Sequence, residues 1–530
     1  MPHDPLTRLL QHAFASQLSE EDKKLLNTRQ ASRRRFLKKS ALAAVGLFIP
    51  PLIGENVGKA SGLLTLSNPK LPPSKIAIIG AGVAGLNAAF QLKQQGIATT
   101  IYEASGRVGG RMHTLKDQFG PGLTTDVGGE FVDTTHTDIL DLVSQLGLSC
   151  YDLRQDPMTA KTFWFDGRML GEKDLREALQ PFVATLMKDI HSLPAVISYK
   201  TAESFRHFDE LSILDYLRSI GIGGWLFKFL DVLLTREYGM EASGQSAINF
   251  LIMFEPPAPT DSHYEVFGQD HEIFKIRGGS QHLTDKLYEQ VRDQVVLQRK
   301  LTAIHINATQ GYDLYFGEEA DRTIVQADQV ILAIPFTILR SIDIQVPMPE
   351  GKRRCISEMG YGNSCKFIMG MKENPWRRNG SQGYTFTDLS FGCGWDSTQM
   401  QSDQAASFTV FGGGYIAQWI KDNKETDIAG KFLPDLDAIY PGAAKEYTGV
   451  NVKFCWAANP YSKAGYSSFK PGQWSTLAGW EGVPVGNIYF AGEHVSREFQ
   501  GYMNGAAQTG RIAAEQVAAN WKRLQSAVKR

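Results

Sequence analysis

A glycine-rich turn between a short apolar run and a predicted helix constrains the fold of this chain more than any other feature. Residues 76–79 are uniformly apolar, as expected of a buried parallel strand. The turn that follows has the G-x-G-x-x-G spacing, with Gly80, Gly82 and Gly85. Gly80 permits a tight turn, Gly82 lets a pyrophosphate approach the backbone, and Gly85 lets the helix pack closely on the strand. Amides of the first helical turn, including that of Ala84, then face the phosphates.

A second predicted strand and an acidic residue complete a dinucleotide-binding unit. Residues 98–102 form the strand, and Glu103 follows it, eighteen positions after Gly85. A carboxylate at this place can bind ribose hydroxyls. The glycine pattern alone is weak evidence, because unrelated α/β proteins contain similar turns. The strand, helix, second strand and acid in this order predict a Rossmann-like βαβ unit.

Two further glycine pairs indicate which dinucleotide binds. The stretches Arg107-Val-Gly-Gly-Arg111 and Asp126-Val-Gly-Gly-Glu130-Phe131 resemble the extended FAD signature of the flavin amine oxidase superfamily. The resemblance implies that the first stretch continues along the diphosphate and that the second glycine pair passes the flavin ring. It implies FAD, since a nicotinamide enzyme has no need of these motifs. The cofactor-binding residues implied in the two stretches are Arg107, Gly109, Gly110, Arg111, Gly128, Gly129 and Glu130.

The resemblance continues to about Trp521 and adds cofactor contacts late in the chain. A backbone group near Leu301 matches the adenine-side strand of the family. Gly492 and Glu493 match the segment whose acid reaches the ribityl chain. The amide of Met503, at the start of the last predicted helix, would face flavin N1 and O2, where a helix N-terminus stabilises the negative charge of the reduced ring.

Two tyrosines are the predicted catalytic pair. Amine oxidases place two aromatic rings before the flavin face, so that the amine enters between them with its carbon directed at N5. By resemblance Tyr502 is one ring and Tyr466 is the candidate for the other, although either tyrosine could instead have a packing role. Family members with covalent flavin have a cysteine just before the second tyrosine. This chain has Lys463-Ala-Gly465 there, so FAD should be noncovalent.

The sequence departs from the family after the Ala-x-Pro turn at residues 333–335. Many members have a lysine there that holds a water near N5, whereas this chain has Arg340 nearest to that place. Either Arg340 holds the water or oxygen activation is arranged differently. Arg340 is therefore the third candidate catalytic residue.

The residues after the second glycine pair bear on the substrate. Members that oxidise α-amino acids often place an arginine there, whereas this chain has Glu130 and Asp133. An amine is therefore favoured, with a di- or polyamine bound by one of these acids. Alternatively, Asp133 caps a helix beginning near Thr135, which is the preferred interpretation of this residue. Arg340 or an arginine of the helical region could still bind a carboxylate.

At 530 residues the chain should form more than one domain. We expect an α/β fold in which a Rossmann-like FAD-binding domain of the GR2, or amine oxidase, type carries an inserted α+β substrate domain. The resemblance, together with the helical and sheet-like patterns, places the FAD-binding domain at residues 74–133, 270–345 and 450–523. Together they place the substrate-binding domain at residues 134–269 and 346–449.

Charge and cysteine content exclude several function classes. The 55 basic and 56 acidic residues predict no general attraction to nucleic acid or to a membrane surface. The five cysteines are odd in number and none has a CxxC or metal-ligand spacing. Neither a disulfide framework nor a metal site is therefore expected, and most of the cysteines should be small buried residues.

Residues 1–60 are predicted to be an N-terminal lead and export signal. Residues 32–38, Ser-Arg-Arg-Arg-Phe-Leu-Lys, match the twin-arginine pattern, which implies the twin-arginine export machinery as a partner. The apolar run from Ala41 to Ile53 is shorter than the roughly 20 residues that a membrane span needs. Cleavage after Ala60 would give a periplasmic or extracellular protein. The alternative is a basic patch before an ordinary amphipathic helix.

Taken together, these features predict an exported, FAD-dependent amine oxidase. It would oxidise a primary or secondary amine to an imine, and dioxygen would reoxidise the flavin to give hydrogen peroxide. An L-amino acid oxidase or monooxygenase, or a desaturase with the same FAD motifs, is the alternative among flavoenzymes. A non-catalytic exported flavoprotein is the other. The sequence leaves the oligomeric state open, and a homodimer is compatible with it.

Overall fold

The computed structural model describes residues 10, 13–19, 22–23, 75–254, 272–401 and 405–528. The twin-arginine motif, the apolar run and the predicted cleavage site lie outside these residues. Among the described helices, none has the length and apolarity needed to cross a bilayer.

A parallel five-stranded sheet forms the centre of the predicted FAD-binding domain, which we call the FAD side. Its strands come from three distant parts of the chain. In spatial order they are Val295–Val296, Thr100–Tyr102, Ile76–Ile79, Gln329–Leu332 and Ile488–Phe490. All four residues of the central strand are buried, which explains its uninterrupted apolar sequence.

Three helices pack together on one face of this sheet, where apolar residues of all three share a core with Ile78 and Ile101. The helices are Val83–Gln94, Gln281–Val291 and Met503–Val528. The helix Thr137–Gln145 joins the same core through Ile139 and Leu142. The predicted boundary at 133/134 therefore separates a helix from the core to which it belongs.

The opposite face is covered by a smaller sheet and one helix. The sheet contains Thr323–Ala327, Tyr312–Phe316, Leu301–Ile306 and Asp343–Gln345 in spatial order. The helix Glu350–Glu358 packs its Cys355 and Ile356 into the core that contains Ala77 and Ile79. The predicted boundary at 345/346 is thus too early, because this helix belongs to the FAD side.

A seven-stranded sheet forms the substrate side. It is antiparallel except where Thr385–Thr387 pairs in parallel with Thr162–Phe165. In spatial order its strands are Tyr447–Cys455, Ser364–Met371, Ala406–Gly413, Cys393–Asp396, Thr385–Thr387, Thr162–Phe165 and Arg168–Met169. The predicted boundary at 449/450 falls inside the first of these strands. The helices Gly414–Asp422 and Glu425–Ile439 cover the sheet through Ala417, Ile420 and Phe432.

The cysteine prediction needs one correction. Cys365 and Cys455 lie directly opposite each other on neighbouring antiparallel strands and form a disulfide. Their separation of 90 positions hides this pairing in the sequence. Cys150, Cys355 and Cys393 form no disulfide.

The helices that lie between Arg168–Met169 and Phe274–Ile276 in the chain form a cap. Its apolar core also contains Phe163, Phe165 and Phe386 of the seven-stranded sheet. The cap helices are Glu172–Leu179, Val183–Ser192, Arg206–Asp209, Ile213–Ser219, Gly224–Tyr238 and Ala247–Leu251. We call Gly224–Tyr238 the long cap helix. Its Leu226, Phe229, Leu230, Leu233 and Leu234 are buried, at the spacing of one helix face.

Part of the predicted N-terminal lead belongs to this cap. Four of its apolar residues, Leu10, Ala13, Phe14 and Leu18, are buried in the cap core. The ring centroid of Phe14 lies 4.7 Å from that of Phe254, and Gln17 Nε2 donates to the carbonyl of Arg176 at 3.0 Å. These four residues of the predicted lead therefore pack as part of the cap.

The remaining short elements connect the two sides. Phe131–Val132, Phe274–Ile276 and Cys150–Asp152 form a three-stranded sheet, and Thr114–Lys116 pairs with Thr124–Asp126. In the chain, the pair Thr114–Lys116 and Thr124–Asp126 lies between the two glycine pairs, and Phe131–Val132 follows the second glycine pair. Short helices occupy Phe336–Leu339, Pro375–Arg378 and Ala443–Glu446.

Candidate active site

A cavity of about 960 Å³ lies between the FAD side and the substrate side. It is lined by the glycine turn at Gly80 and, from the other end of the chain, by Tyr502 and Met503. Every predicted site residue except Gly85, Asp133 and Arg340 lines this cavity. Segments near residue 80 and near residue 500, far apart in the sequence, thus meet in one site.

The glycine turn leaves open backbone at one end of the cavity. Gly80 has a φ of +101°, and a Cβ there would lie 2.7 Å from the carbonyl oxygen of Ala333. A Cβ on Gly85 would lie 2.0 Å from the carbonyl oxygen of Gly80, which explains why this glycine packs helix on strand instead of lining the cavity. Gly82 and Gly109 form a backbone bridge, and a Cβ on Gly110 would lie 3.2 Å from the Gly82 Cα. Side chains at these glycines would occupy the space beside the backbone. Because the glycines leave that space open, a diphosphate can approach the backbone amides there.

Glu103 is fixed beside the glycine turn. Its carboxylate accepts hydrogen bonds from the amides of Ala81 and Ser105, both at 2.8 Å. Leu301 lines the same end of the cavity. This arrangement fits the ribose and adenine positions that the sequence predicts for the two residues.

Glu493 joins the two ends of the chain. Its carboxylate accepts from Arg111 Nη1 at 2.9 Å, from Ser467 Oγ at 2.7 Å and from the amide of Gly501 at 3.0 Å. Burial alone would raise the pKa of this carboxyl, but Arg111, His494 and the hydrogen bonds outweigh burial and lower it. Glu493 therefore stays ionised and holds three cavity segments together.

The second glycine pair meets the last helix. A Cβ on Gly129 would lie 2.8 Å from both Cγ and Sδ of Met503. The helix Met503–Val528 begins at this contact, and Gly128, Gly129 and Met503 all line the cavity. The positive end of the helix dipole is thus available to an electron-rich ring in the cavity.

The predicted tyrosine pair is held by two consecutive residues of the long cap helix. Tyr466 donates its phenol hydrogen to the carbonyl oxygen of Arg236 at 2.7 Å, and Tyr502 donates to Glu237 Oε1 at 2.9 Å. A Cβ on Gly501 would lie 3.7 Å from Tyr466 Cδ2, so the two tyrosine segments are neighbours. Sequence reasoning missed Arg236 and Glu237, although two charges at the end of an apolar helix could have indicated a site.

Arg236 lies in a charged and aromatic part of the cavity. Its Nη2 donates to Tyr384 Oη at 2.8 Å and contacts Glu272 Oε1 at 3.2 Å, while Nη1 lies 3.6 Å from Glu237 Oε2. Tyr384 donates in turn to Glu272 at 2.6 Å. Four aromatic rings lie within 6 Å of the guanidinium carbon, those of Tyr384, Phe386, Trp395 and Phe411.

Glu130 is paired with two lysines. Its oxygens lie 2.8 Å from Lys275 Nζ and 2.7 Å from Lys366 Nζ, and Trp395 Nε1 donates to it at 3.1 Å. Burial would raise the pKa of Glu130, but the two ammonium groups outweigh burial and lower it. Because the carboxylate is already neutralised, the structure does not favour Glu130 as the group that binds a substrate amine.

Two predicted roles need correction. Arg340 does not line the cavity, and its guanidinium donates to the carbonyls of Ile356 and Met359. These bonds tie the helix Glu350–Glu358 to the segment that follows the Ala-x-Pro turn at residues 333–335. Arg340 is therefore not placed to hold a water in the cavity. Asp133 accepts from the amide of Glu272 at 2.7 Å, and the nearby helix begins only at Thr137, with no side-chain capping bond from His136. Asp133 therefore orders the Glu272 backbone.

Within the described ranges, no group of three or more His, Cys, Asp or Glu residues could hold a metal ion. No described cysteine lines the cavity either.

A family model described as flavin containing amine oxidoreductase matches residues 83–518. The chain belongs to this family. An L-amino-acid oxidase of Sistrurus catenatus edwardsii is 24% identical over 486 residues, covering 86% of this chain and 88% of its own. The flavin-containing amine oxidase B of Canis lupus familiaris is 26% identical over 467 residues, covering 83% and 85%. The solved structure of cyclohexylamine oxidase from Brevibacterium oxydans IH-35A has a TM-score of 0.74 at 21% identity, covering 86% of this chain and 100% of its own, and confirms the fold.

Membership establishes a flavin-dependent oxidoreductase that acts on amines, with FAD as cofactor. The residues of this chain fit that cofactor. The glycine cradle suits the diphosphate, Glu103 the ribose, and the contact between Gly129 and Met503 a flat ring.

Proposed function

We propose that the protein oxidises a primary or secondary amine to the imine, which water hydrolyses. The observation that supports this proposal is the single cavity that runs from the Gly80 turn to Tyr466 and Tyr502. FAD supplies the hydride acceptor at N5, and dioxygen then takes the electrons to give hydrogen peroxide.

The residues of the cavity have distinct tasks in this reaction. Tyr466 and Tyr502 orient the amine, and Trp395 and Phe411 help to exclude water from the reacting carbon. Hydride transfer from the amine carbon would leave negative charge on the reduced ring. The N-terminus of the helix Met503–Val528 is placed to stabilise that charge. The absence of a cysteine among the described lining residues supports noncovalent FAD.

Carboxylates in the substrate part of the cavity support an amine that carries positive charge. Glu237 and Glu272 both line it, and both lie beside Arg236. Two carboxylates lie beside one guanidinium here, whereas the single carboxylate of Glu130 faces two ammonium groups. Glu237 and Glu272 therefore replace Glu130 as the groups that favour a di- or polyamine.

Oxidation of an L-amino acid, by oxidase or monooxygenase chemistry, is the second candidate. It is supported by the guanidinium of Arg236 in the cavity and by the L-amino-acid oxidase among the relatives. A substrate carboxylate would have to compete with Glu237 and Glu272 for this guanidinium.

Anaerobic mixing with a panel of cyclohexylamine, benzylamine, putrescine, spermidine and L-amino acids tests both candidates. Loss of the oxidised flavin absorbance with an amine, followed by peroxide formation in air, is the expected result. Reduction by L-amino acids alone would favour the second candidate. Flavin that no panel compound reduces, in a protein that co-purifies with a stable partner, would point to a non-catalytic flavoprotein.

We also propose export by the twin-arginine route to the periplasm or beyond. The sequence motif at residues 32–38 supports it, as does the Cys365–Cys455 disulfide, because disulfides persist in oxidising compartments. Replacing Arg33 and Arg34 by lysine should retain the protein inside the cell, as cell fractionation would show. An unchanged distribution would contradict this route.

A further inference from the structure

The end of the long cap helix contacts both tyrosines of the proposed active site. Tyr466 and Tyr502 come from separate segments of the C-terminal part of the chain, yet their phenols bond to adjacent residues, Arg236 and Glu237. We propose that Glu237 is a positioning residue, which fixes the Tyr502 ring and thereby orients the amine for hydride transfer. This inference rests on the proposed function and adds a residue to it.

The environment of Glu237 suits this role. Its side chain is 5% exposed, and Arg236 Nη1 lies 3.6 Å from its Oε2. The buried carboxylate thus has a cationic neighbour on one oxygen and the Tyr502 phenol on the other. Hydrogen bonds to an ionised acceptor are stronger than those to a neutral one, so Glu237 restrains the phenol more firmly than an amide would.

The rest of Tyr502 is already fixed, which leaves the phenol end to Glu237. The amide of Gly501, one residue earlier, donates to Glu493. Met503, one residue later, begins the last helix and contacts Gly129. The backbone therefore cannot shift easily. The ring packs on His136, with 5.2 Å between the ring centroids, and the hydrogen bond to Glu237 holds its phenol end.

This bond also joins the two sides of the molecule across the cavity. Glu237 lies on the cap and Tyr502 on the FAD side, 265 positions apart. A change in cap position would therefore reach the tyrosine pair through Glu237 and through the carbonyl of Arg236. Small displacements matter here, because a misplacement of about 1 Å can slow an enzyme about a hundredfold.

The test uses the full-length holoenzyme with Glu237→Leu, Glu237→Gln, Tyr502→Phe and the double variant Glu237→Leu/Tyr502→Phe. Glu241→Gln is the matched control, because Glu241 is an exposed acid just beyond the same helix. Anaerobic rapid mixing with the best amine of the panel separates the limiting rate constant of flavin reduction from the apparent Kd. Thermal unfolding midpoints of the same variants give a second double-mutant cycle that does not depend on activity.

We expect Glu237→Leu to lower the limiting rate constant by about tenfold or more and Glu237→Gln by only about threefold, since the amide still accepts the phenol hydrogen. In the Tyr502→Phe background Glu237→Leu should have little further effect on rate or midpoint. Additive effects in both cycles, or a Glu237→Leu enzyme as fast as the Glu241→Gln control, would overturn the positioning role. Either result would leave the proposed function standing. A wild-type flavin that no panel compound reduces would overturn the proposed function and this role with it.

Discussion

Arg111 Nη1 lies 2.9 Å from the carboxylate of Glu493, although the two residues are 382 positions apart in the chain. Arg111 follows the first glycine pair, and Glu493 follows the last strand of the parallel sheet. The same carboxylate also bonds Ser467 and Gly501, which flank the two tyrosines in sequence. This ion pair therefore connects the nucleotide-binding residues to the residues that orient the amine.

Replacing Glu493 by Gln should weaken FAD retention and lower the thermal unfolding midpoint. Breaking a fully buried ion pair costs roughly 3–5 kcal/mol. Arg111 is 24% exposed, so we expect a smaller loss here. The flavin absorbance that remains with the protein after gel filtration measures retention, and scanning calorimetry measures the midpoint. Glu515→Gln is the control, because Glu515 lies exposed on the last helix. Equal flavin retention in the two variants would contradict the assignment.

The same pair predicts a pH dependence. Burial opposes ionisation of Glu493, but Arg111, His494 and the hydrogen bonds lower its pKa below the usual value. A carboxyl with a lowered folded pKa stabilises the fold above its unfolded pKa and loses that contribution as the pH falls through the folded pKa. Wild-type protein should therefore lose more stability between neutral and acid pH than Glu493→Gln. Urea unfolding at several pH values measures both proteins. If the free energies of unfolding of wild type and Glu493→Gln fall in parallel as the pH is lowered, Glu493 does not contribute in this way.

Residues that belong to local motifs could be predicted from the sequence, and residues that meet through tertiary contacts could not. Gly80, Gly82 and Glu103 act through a contiguous strand, turn and helix, so their spacing alone indicates their place. Glu237 meets Tyr502 only because the cap folds over the FAD side. No periodicity in the sequence contains that contact.

The Arg340 prediction failed for a local geometric reason. On the short helix Phe336–Leu339 and its extension, consecutive side chains point in different directions. Ile338 and Ser341 line the cavity, whereas Arg340 between them reaches the carbonyls of Ile356 and Met359. Without the helix phase, the sequence could not distinguish these neighbours.

Removing the disulfide should destabilise the substrate side. Cys455→Ser should cost about 2–4 kcal/mol, because the bridge closes a long loop and restricts the unfolded chain. A lower melting temperature in the variant, and in wild type treated with dithiothreitol, is the expected result. Cys393→Ser is the control, since Cys393 is a buried cysteine of the same sheet that forms no disulfide. A variant that melts with the control would show that the bridge contributes nothing.

The N-terminal segment should contribute to stability as part of the cap. Phe14 is buried against Phe254, so Phe14→Ala should cost about 3–5 kcal/mol when the segment is docked. Urea unfolding of the full chain would measure the loss. The exposed neighbour Ser16 provides the control variant Ser16→Ala. Equal unfolding midpoints for the two variants would show that the segment is not part of the folded cap.

Lys352 should make stability depend on pH in the alkaline range. Its side chain is fully buried, Nζ donates to the carbonyls of Trp480 and Glu481, and burial lowers its pKa to about 7. Between pH 7 and the unfolded pKa of roughly 10.4, the unfolded state binds the extra proton, so stability rises with pH.

The free energy of unfolding of wild type relative to Lys352→Met should therefore increase by up to about 1.4 kcal/mol per pH unit in this window. Urea unfolding at several pH values between neutral and alkaline checks the slope. Lys372→Met, at an exposed lysine, should differ from wild type by the same amount at every pH. The difference in free energy of unfolding between wild type and Lys352→Met could instead be the same at every pH. Lys352 would then be charged throughout this range, and the carbonyls of Trp480 and Glu481 would hold an ammonium group in the core.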